Sequence, residues 1–130
     1  ATVPKITITL RKSYGGSHIV MGCKQLRADL NFAWPSSEIA VMGASGAVAI
    51  LCGKEAKAKK EAGEDVKAFL AEKEEEYTDK FANPYEAASY GYIDDVIEPR
   101  NTRFRICRGL AQLATKRQSL PAKKHGCMPM

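Results

Sequence analysis

The chain has 130 residues, 45% of them hydrophobic and 27% charged, with 10 Gly and 6 Pro, proportions that exclude a disordered or collagen-like chain and fit one globular domain. A core at this length needs no disulfide or metal staple, and the longest apolar run, residues 47–52, is far short of the roughly 18 residues of a membrane span. The net charge of +5 is polarised: residues 99–130 hold eight basic side chains and no acid, which points to an anionic ligand or an acidic neighbouring surface.

The chain opens Ala1-Thr2-Val3-Pro4, with neither a signal-peptide pattern nor an initiator Met, and is expected to be part of something longer. Residues 6–10, Ile-Thr-Ile-Thr-Leu, alternate as a half-buried strand does. Tyr14-Gly15-Gly16-Ser17 then predicts a turn, with Ser17 capping a short helix over residues 17–23. Residues 30–34 and 38–42 predict two short buried strands. The first stops before Pro35 and the second before Gly43. A small-residue turn at 43–46 feeds a helix over 47–52, so the order of strand, turn and helix repeats.

Residues 53–80 form a charged helical segment, since residues 54–80 carry seven Lys and nine Asp or Glu. Gly63 is expected to divide it, with Val66, Phe69, Leu70, Lys73 and Tyr77 on its one packing face. Asn83 and Pro84 cap and open a helix through residue 89, and Gly91 precedes a strand over 92–97 that Pro99 ends. The last helix is predicted over 101–117, packing through Ile106, Leu110 and Leu113 beside Cys107 and Ala114, and 118–130 is a basic tail. The fold class is therefore α/β.

Cys23, Cys52, Cys107 and Cys127 form no Cys-x-x-Cys pair, and only His18 and His125 could join them, so no metal site is expected. Cys52 and Cys107 sit in apolar stretches as small hydrophobes, Cys127 is expected to be exposed, and reduced thiols suit a cytoplasmic protein. Dinucleotide and Walker loops and the nucleophile elbow are absent from the sequence. Nucleic acid is not an expected partner, because aromatic residues do not interleave with the basic ones. The glycine pair before a helix either is a plain turn or presents the Gly16 and Ser17 amides as an oxyanion hole.

Taken together, Arg11-Lys12-Ser13-Tyr14-Gly15-Gly16-Ser17, Phe32-Ala33-Trp34-Pro35, Glu38-Ile39-Ala40-Val41-Met42-Gly43 and Phe81-Ala82-Asn83-Pro84-Tyr85 resemble the carboxyltransferase subunits of biotin-dependent acyl-CoA carboxylases. Gly91-Tyr92-Ile93-Asp94-Asp95-Val96-Ile97-Glu98-Pro99-Arg100 and Pro121-Ala122-Lys123-Lys124-His125-Gly126 strengthen the match. The resemblance is to the branch of propionyl-CoA carboxylase β and methylmalonyl-CoA decarboxylase α subunits. It implies that residues 1–130 are the C-terminal part of a crotonase-like carboxyltransferase C-terminal domain, inactive alone, from a much longer subunit that assembles as a homo-hexamer.

The resemblance implies biotin, carried as carboxybiotin on a separate carrier, as cofactor, and no metal in this chain. It implies acyl-CoA, the biotin carboxyl carrier, and a biotin carboxylase subunit or membrane decarboxylase subunits as partners. The mechanism the resemblance implies is that carboxybiotin releases CO2, the ureido anion takes the α-proton of the acyl-CoA, and the enolate attacks CO2, with oxyanion holes stabilising both anions. The biotin-side hole falls on the Gly16 and Ser17 amides, and Gly15, His18 and Ile19 fall beside the substrate. Ile19 stands where many propionyl-CoA carboxylases have Asp and His18 where the family has Tyr, which leaves propionyl, acetyl and methylmalonyl groups open, in either direction of transfer. His18 is a packing residue or a ligand contact, Tyr14 and Trp34 are core or interface aromatics, and Asp94-Asp95 is a strand-end turn. The basic helix and tail contact CoA phosphates or pack against a neighbouring subunit.

Overall fold

In a computed structural model, which describes residues 2–119 and 122, the chain is α/β with two small parallel sheets. Strands β1 (Ile6–Thr9), β3 (Leu30–Ala33) and β5 (Asp95–Val96) form one sheet in the order β1-β3-β5, and β2 (Lys12–Tyr14) pairs with β4 (Glu38–Ala40) in the other. The helices are α1 (Gly15–Val20), α2 (Ala44–Leu51), α3 (Gly53–Glu61), α4 (Val66–Phe81), α5 (Pro84–Ser89) and α6 (Thr102–Gln112). Short 3-10 turns at Lys24–Leu26 and Pro99–Asn101 lead into β3 and α6.

The register Ile6↔Leu30, Thr7↔Asn31, Ile8↔Phe32 puts the larger apolar side chains of β1 and β3 on one face. Helix α6 covers that face. A Cβ on Gly109 would stand 2.8 Å from Leu30 Cδ1 and 3.1 Å from Ile6 Cδ1, while the Arg105 guanidinium lies 5.4 Å from the Phe32 ring centre. Trp34 Nε1 donates to Thr102 Oγ1 at 2.9 Å, fastening the entry of α6 to the end of β3. On the other side Ala33, Ile39, Ala87 and Ile93 form a buried cluster that joins the two sheets through α5.

Several expectations hold closely. Gly63 (φ +76°) divides α3 from α4, and Val66, Phe69, Leu70, Lys73 and Tyr77 are the half-buried face. Asn83 accepts from the Glu86 amide at 2.9 Å with Pro84 first in α5. Asp94 accepts from the Asn31 amide at 2.8 Å and pairs with Lys24, and Asp95 pairs with Arg105, so both carboxylates hold structure at the strand end.

Other boundaries differ for physical reasons. Helix α1 starts at Gly15 rather than Ser17, because Gly15 adopts φ +50° and the strand before it ends at Tyr14; Ser17 is no cap, and its hydroxyl instead donates to the Tyr14 carbonyl at 2.7 Å. Strand β2, which feeds this helix, was not expected as a separate strand. Helix α2 begins at Ala44 within the expected turn. Strand β5 keeps only two residues of the expected 92–97, because Gly91 (φ +73°) ends α5 and the Tyr92 amide turns back to Ala87 O at 3.0 Å.

Helix α6 stops at Gln112 and packs through Thr102, Arg105, Ile106, Gly109 and Leu113, leaving Leu110 and Cys107 exposed. Cys23, fully buried, is the core thiol instead, and Cys52 is half-buried. Most of the tail at 118–130, including Cys127 and His125, lies outside the described residues.

Candidate functional site

The strands β2 and β4 run parallel and each ends in a small-residue turn that opens a helix. The two turns touch: a Cβ on Gly15 would lie 2.7 Å from the Val41 carbonyl oxygen, and one on Gly43 would lie 3.7 Å from Tyr14 Cε2. Both the positive φ and this approach require glycine at position 15. Around a Cβ at Gly16, by contrast, nothing lies within 4 Å, so this residue faces open space.

Gly15, Gly16 and Ser17 are the first three residues of α1, and their N–H groups precede its first intrahelical bond. No acidic side chain sits in this first turn, and Tyr14 at the cap position makes no side-chain capping bond. These first-turn N–H groups therefore lack a capping side chain from Tyr14 or an acid within α1.

Beside this turn opens an apolar cleft of about 570 Å³. Gly15, His18 and Ile19 from α1 form one side, with Val41 behind them; Tyr90 and Tyr92 come from beyond α5. The cleft brings together three of the five expected site residues. Gly16 and Ser17 are not in its walls but stand exposed at the start of the same helix. His18 Nδ1 lies 2.8 Å from Ser13 Oγ, and burial pushes its imidazole below the usual 6.5. The Tyr14 hydroxyl donates to Glu38 Oε2, and that bond, helped by burial and by the carboxylate charge, pushes the phenol up to about 12.

The sequence reading missed the far walls: Leu51 closes α2, Tyr77 and Phe81 lie one turn apart on α4 with ring centres 5.3 Å apart, and Tyr90 stacks on Tyr92 at 5.8 Å. The spacing of Tyr77 and Phe81 was a usable signal for a shared face. Nothing in the sequence places Tyr90 and Tyr92 opposite α1, because that juxtaposition is made by α5. Among the described residues no three His, Cys, Asp or Glu side chains group to hold a metal ion, and no helix is long and apolar enough to cross a membrane.

The chain was compared with known proteins. The carboxyl transferase domain matches residues 1–128. The propionyl-CoA carboxylase beta chain of Saccharopolyspora erythraea is 52% identical over 130 residues, and the methylmalonyl-CoA decarboxylase subunit alpha of Propionigenium modestum is 51% identical over 130; the alignments cover all of this chain and 24% of each relative. Among solved structures, transcarboxylase 12S, described as a hexamer assembly with methylmalonyl-coenzyme A and methylmalonic acid bound, aligns with a TM-score of 0.86 at 54% identity over all of this chain and 24% of its own. With the carboxyl transferase domain matched over residues 1–128 and the fold shared with transcarboxylase 12S, the chain belongs to the carboxyl transferase family and spans about a quarter of the length of these relatives.

Proposed function

We propose that the chain forms the biotin side of the active site in a biotin-dependent acyl-CoA carboxyltransferase of the propionyl-CoA carboxylase β type, moving a carboxyl group between carboxybiotin and propionyl-CoA. The observation that carries this reading is the open Gly16 position and its helix-start amides beside an apolar cleft walled by Gly15, His18 and Ile19. Biotin is a mostly apolar fused ring with one ureido oxygen. A cleft of this size, mainly apolar with a few polar side chains in its walls, suits such a group.

When bound, biotin supplies the carboxyl group and carries the negative charge left when that group departs. The Gly16 and Ser17 N–H groups, fixed at the start of α1, would hold the ureido oxygen and favour negative charge on it. Ile19 and the tyrosines shield the ring from water. His18, neutral near pH 7, offers a hydrogen-bonding ring rather than a second positive charge.

In this reading acyl-CoA, the biotin carboxyl carrier and a biotin carboxylase subunit are partners of a longer subunit, which assembles as a hexamer as transcarboxylase 12S does. Exposed apolar side chains such as Val20, Met21, Ile50 and Leu51 support a chain that packs against further protein. The free thiols Cys23, Cys52 and Cys107 support a cytoplasmic location. A second reading is transfer from methylmalonyl-CoA to biotin beside membrane decarboxylase subunits. It is favoured by the likeness to a methylmalonyl-CoA decarboxylase α subunit.

Amide NMR of the labelled chain during titration with free biotin tests the half-site. Saturable shifts centred on Gly15, Gly16 and Ser17 are expected, and a dispersed spectrum without them overturns the reading. In the assembled subunit, Gly16→Asp is expected to cut transfer by about 100-fold or more with the oligomer intact. Dissociation of the oligomer instead would make this part of the chain an assembly module.

A further inference from the structure

We infer that Glu38 is a positioning residue for the half-site proposed above, acting through Tyr14 to fix the start of α1; the inference rests on that reading. Tyr14 is the last residue of β2, directly before the glycine pair, and its hydroxyl reaches across to the carboxylate of Glu38 at the start of β4. Neither side chain lines the cleft. Their effect on a ligand there therefore passes through the backbone between them and α1.

That backbone is tied at every step. The Glu38 amide donates to Arg11 O at 2.7 Å, and the register sets Lys12↔Glu38 and Tyr14↔Ala40. The Tyr14 ring edge faces the Gly43 turn, its carbonyl accepts from the Ser17 hydroxyl at 2.7 Å, and the next residue, Gly15, abuts Val41 O. The neighbouring Ser13 holds His18 at 2.8 Å. The bond to Glu38 thus anchors the side chain of the residue whose carbonyl accepts from Ser17 and whose peptide bond leads into the first turn of α1.

Glu38 is half-buried, and among the described residues it forms no ion pair. The phenol is thus the partner that satisfies a carboxylate at a partly desolvated position, in a charge-assisted bond of the stronger class. The rise of the Tyr14 phenol to about 12, caused first by this bond, fits a firmly held proton.

The test uses the assembled carboxyltransferase that carries this chain, assayed by biotin-dependent decarboxylation of methylmalonyl-CoA with free biotin as acceptor. In Glu38→Leu and in Tyr14→Phe, kcat/KM for biotin is expected to fall about tenfold or more, while KM for methylmalonyl-CoA stays unchanged. The double variant is expected to be no worse than the worse single, because both remove one bond. Glu38→Gln still accepts from the phenol and is expected to restore kcat/KM to within about twofold. Tyrosinate absorbance should then show Tyr14 titrating closer to its ordinary value.

Singles that leave biotin kinetics intact overturn the inference, as do losses that multiply in the double or a Glu38→Gln enzyme that folds yet performs as poorly as Glu38→Leu. An unaltered enzyme whose decarboxylation ignores biotin overturns the half-site reading itself, an outcome distinct from these.

Discussion

His18 is half-buried in the cleft wall, and its imidazole titrates below 6.5 because burial disfavours the charged ring. In the unfolded chain the ring takes its proton near 6.5, so between that pH and the lower folded value the unfolded state holds more protons. This share of stability is therefore complete above about 6.5 and is lost as pH falls through the folded value. His18→Asn is expected to flatten the loss of urea stability between neutral and mildly acid pH, with His125 common to both proteins. Equal slopes for the two would place the titration elsewhere. Gly15, His18 and Ile19, which the family resemblance singles out, lie on one short stretch of chain and share the wall of one cleft. Ser17 was misread because its type suits a cap, whereas the cap position is set by where β2 ends and by the φ of +50° that Gly15 admits.

At the scale of elements, segments with a clear period or cap signal were legible even when short, as in the six residues of α5, and segments without one were not. Helix α4 has sixteen residues, an Asp65 cap accepting from the Lys67 and Ala68 amides, and a repeating apolar face. Strand β2 has three residues, Lys12, Ser13 and Tyr14, too few and too polar to show a period, and exists only because β4 pairs with it. Helix α6 shows a subtler failure. Its apolar residues suggested a face through Leu110, but close docking onto β1 and β3 selects the face that carries Gly109, the residue with no side chain to hold the helix away. Gly109→Val is accordingly expected to destabilise the fold by about 1–3 kcal/mol through overpacking against Leu30 and Ile6. A fall in the urea midpoint at constant m-value checks it. An unchanged midpoint would mean that α6 does not pack at this distance.

For the molecule as a whole, the basic excess of the last third is the feature that sequence most overstates. Of the six basic residues between 99 and 117, Arg100 pairs with Glu98, Arg105 with Asp95 and Lys116 with Asp29, which leaves Arg103, Arg108 and Arg117 without an ion pair among the described residues. Three of the six are thus paired within the chain, of which only Lys116 and Asp29 are largely shielded from solvent. The pair that spans the greatest chain distance is Lys116 with Asp29: the ammonium also donates to Val3 O at 3.0 Å, and the Asp29 carboxylate accepts from the Lys5 amide at 2.7 Å. One buried-edge cluster therefore fastens the entries to β1 and β3 to the segment after α6, with the Lys116 and Asp29 side chains 13% and 17% exposed. The Lys116 bond, then the Lys5 amide, holds the Asp29 carboxyl below its usual 3.8, so the unfolded chain binds the proton more readily. The stability from this cluster is present above 3.8 and is lost as pH falls through the lower folded value. Asp29→Asn is expected to lower the urea midpoint at pH 7 and to remove part of the acid-induced decline seen in the unaltered chain. A variant that keeps the full decline would show that other carboxylates govern acid unfolding, and that the segment after α6 is held against the entries to β1 and β3 by packing rather than by this pair.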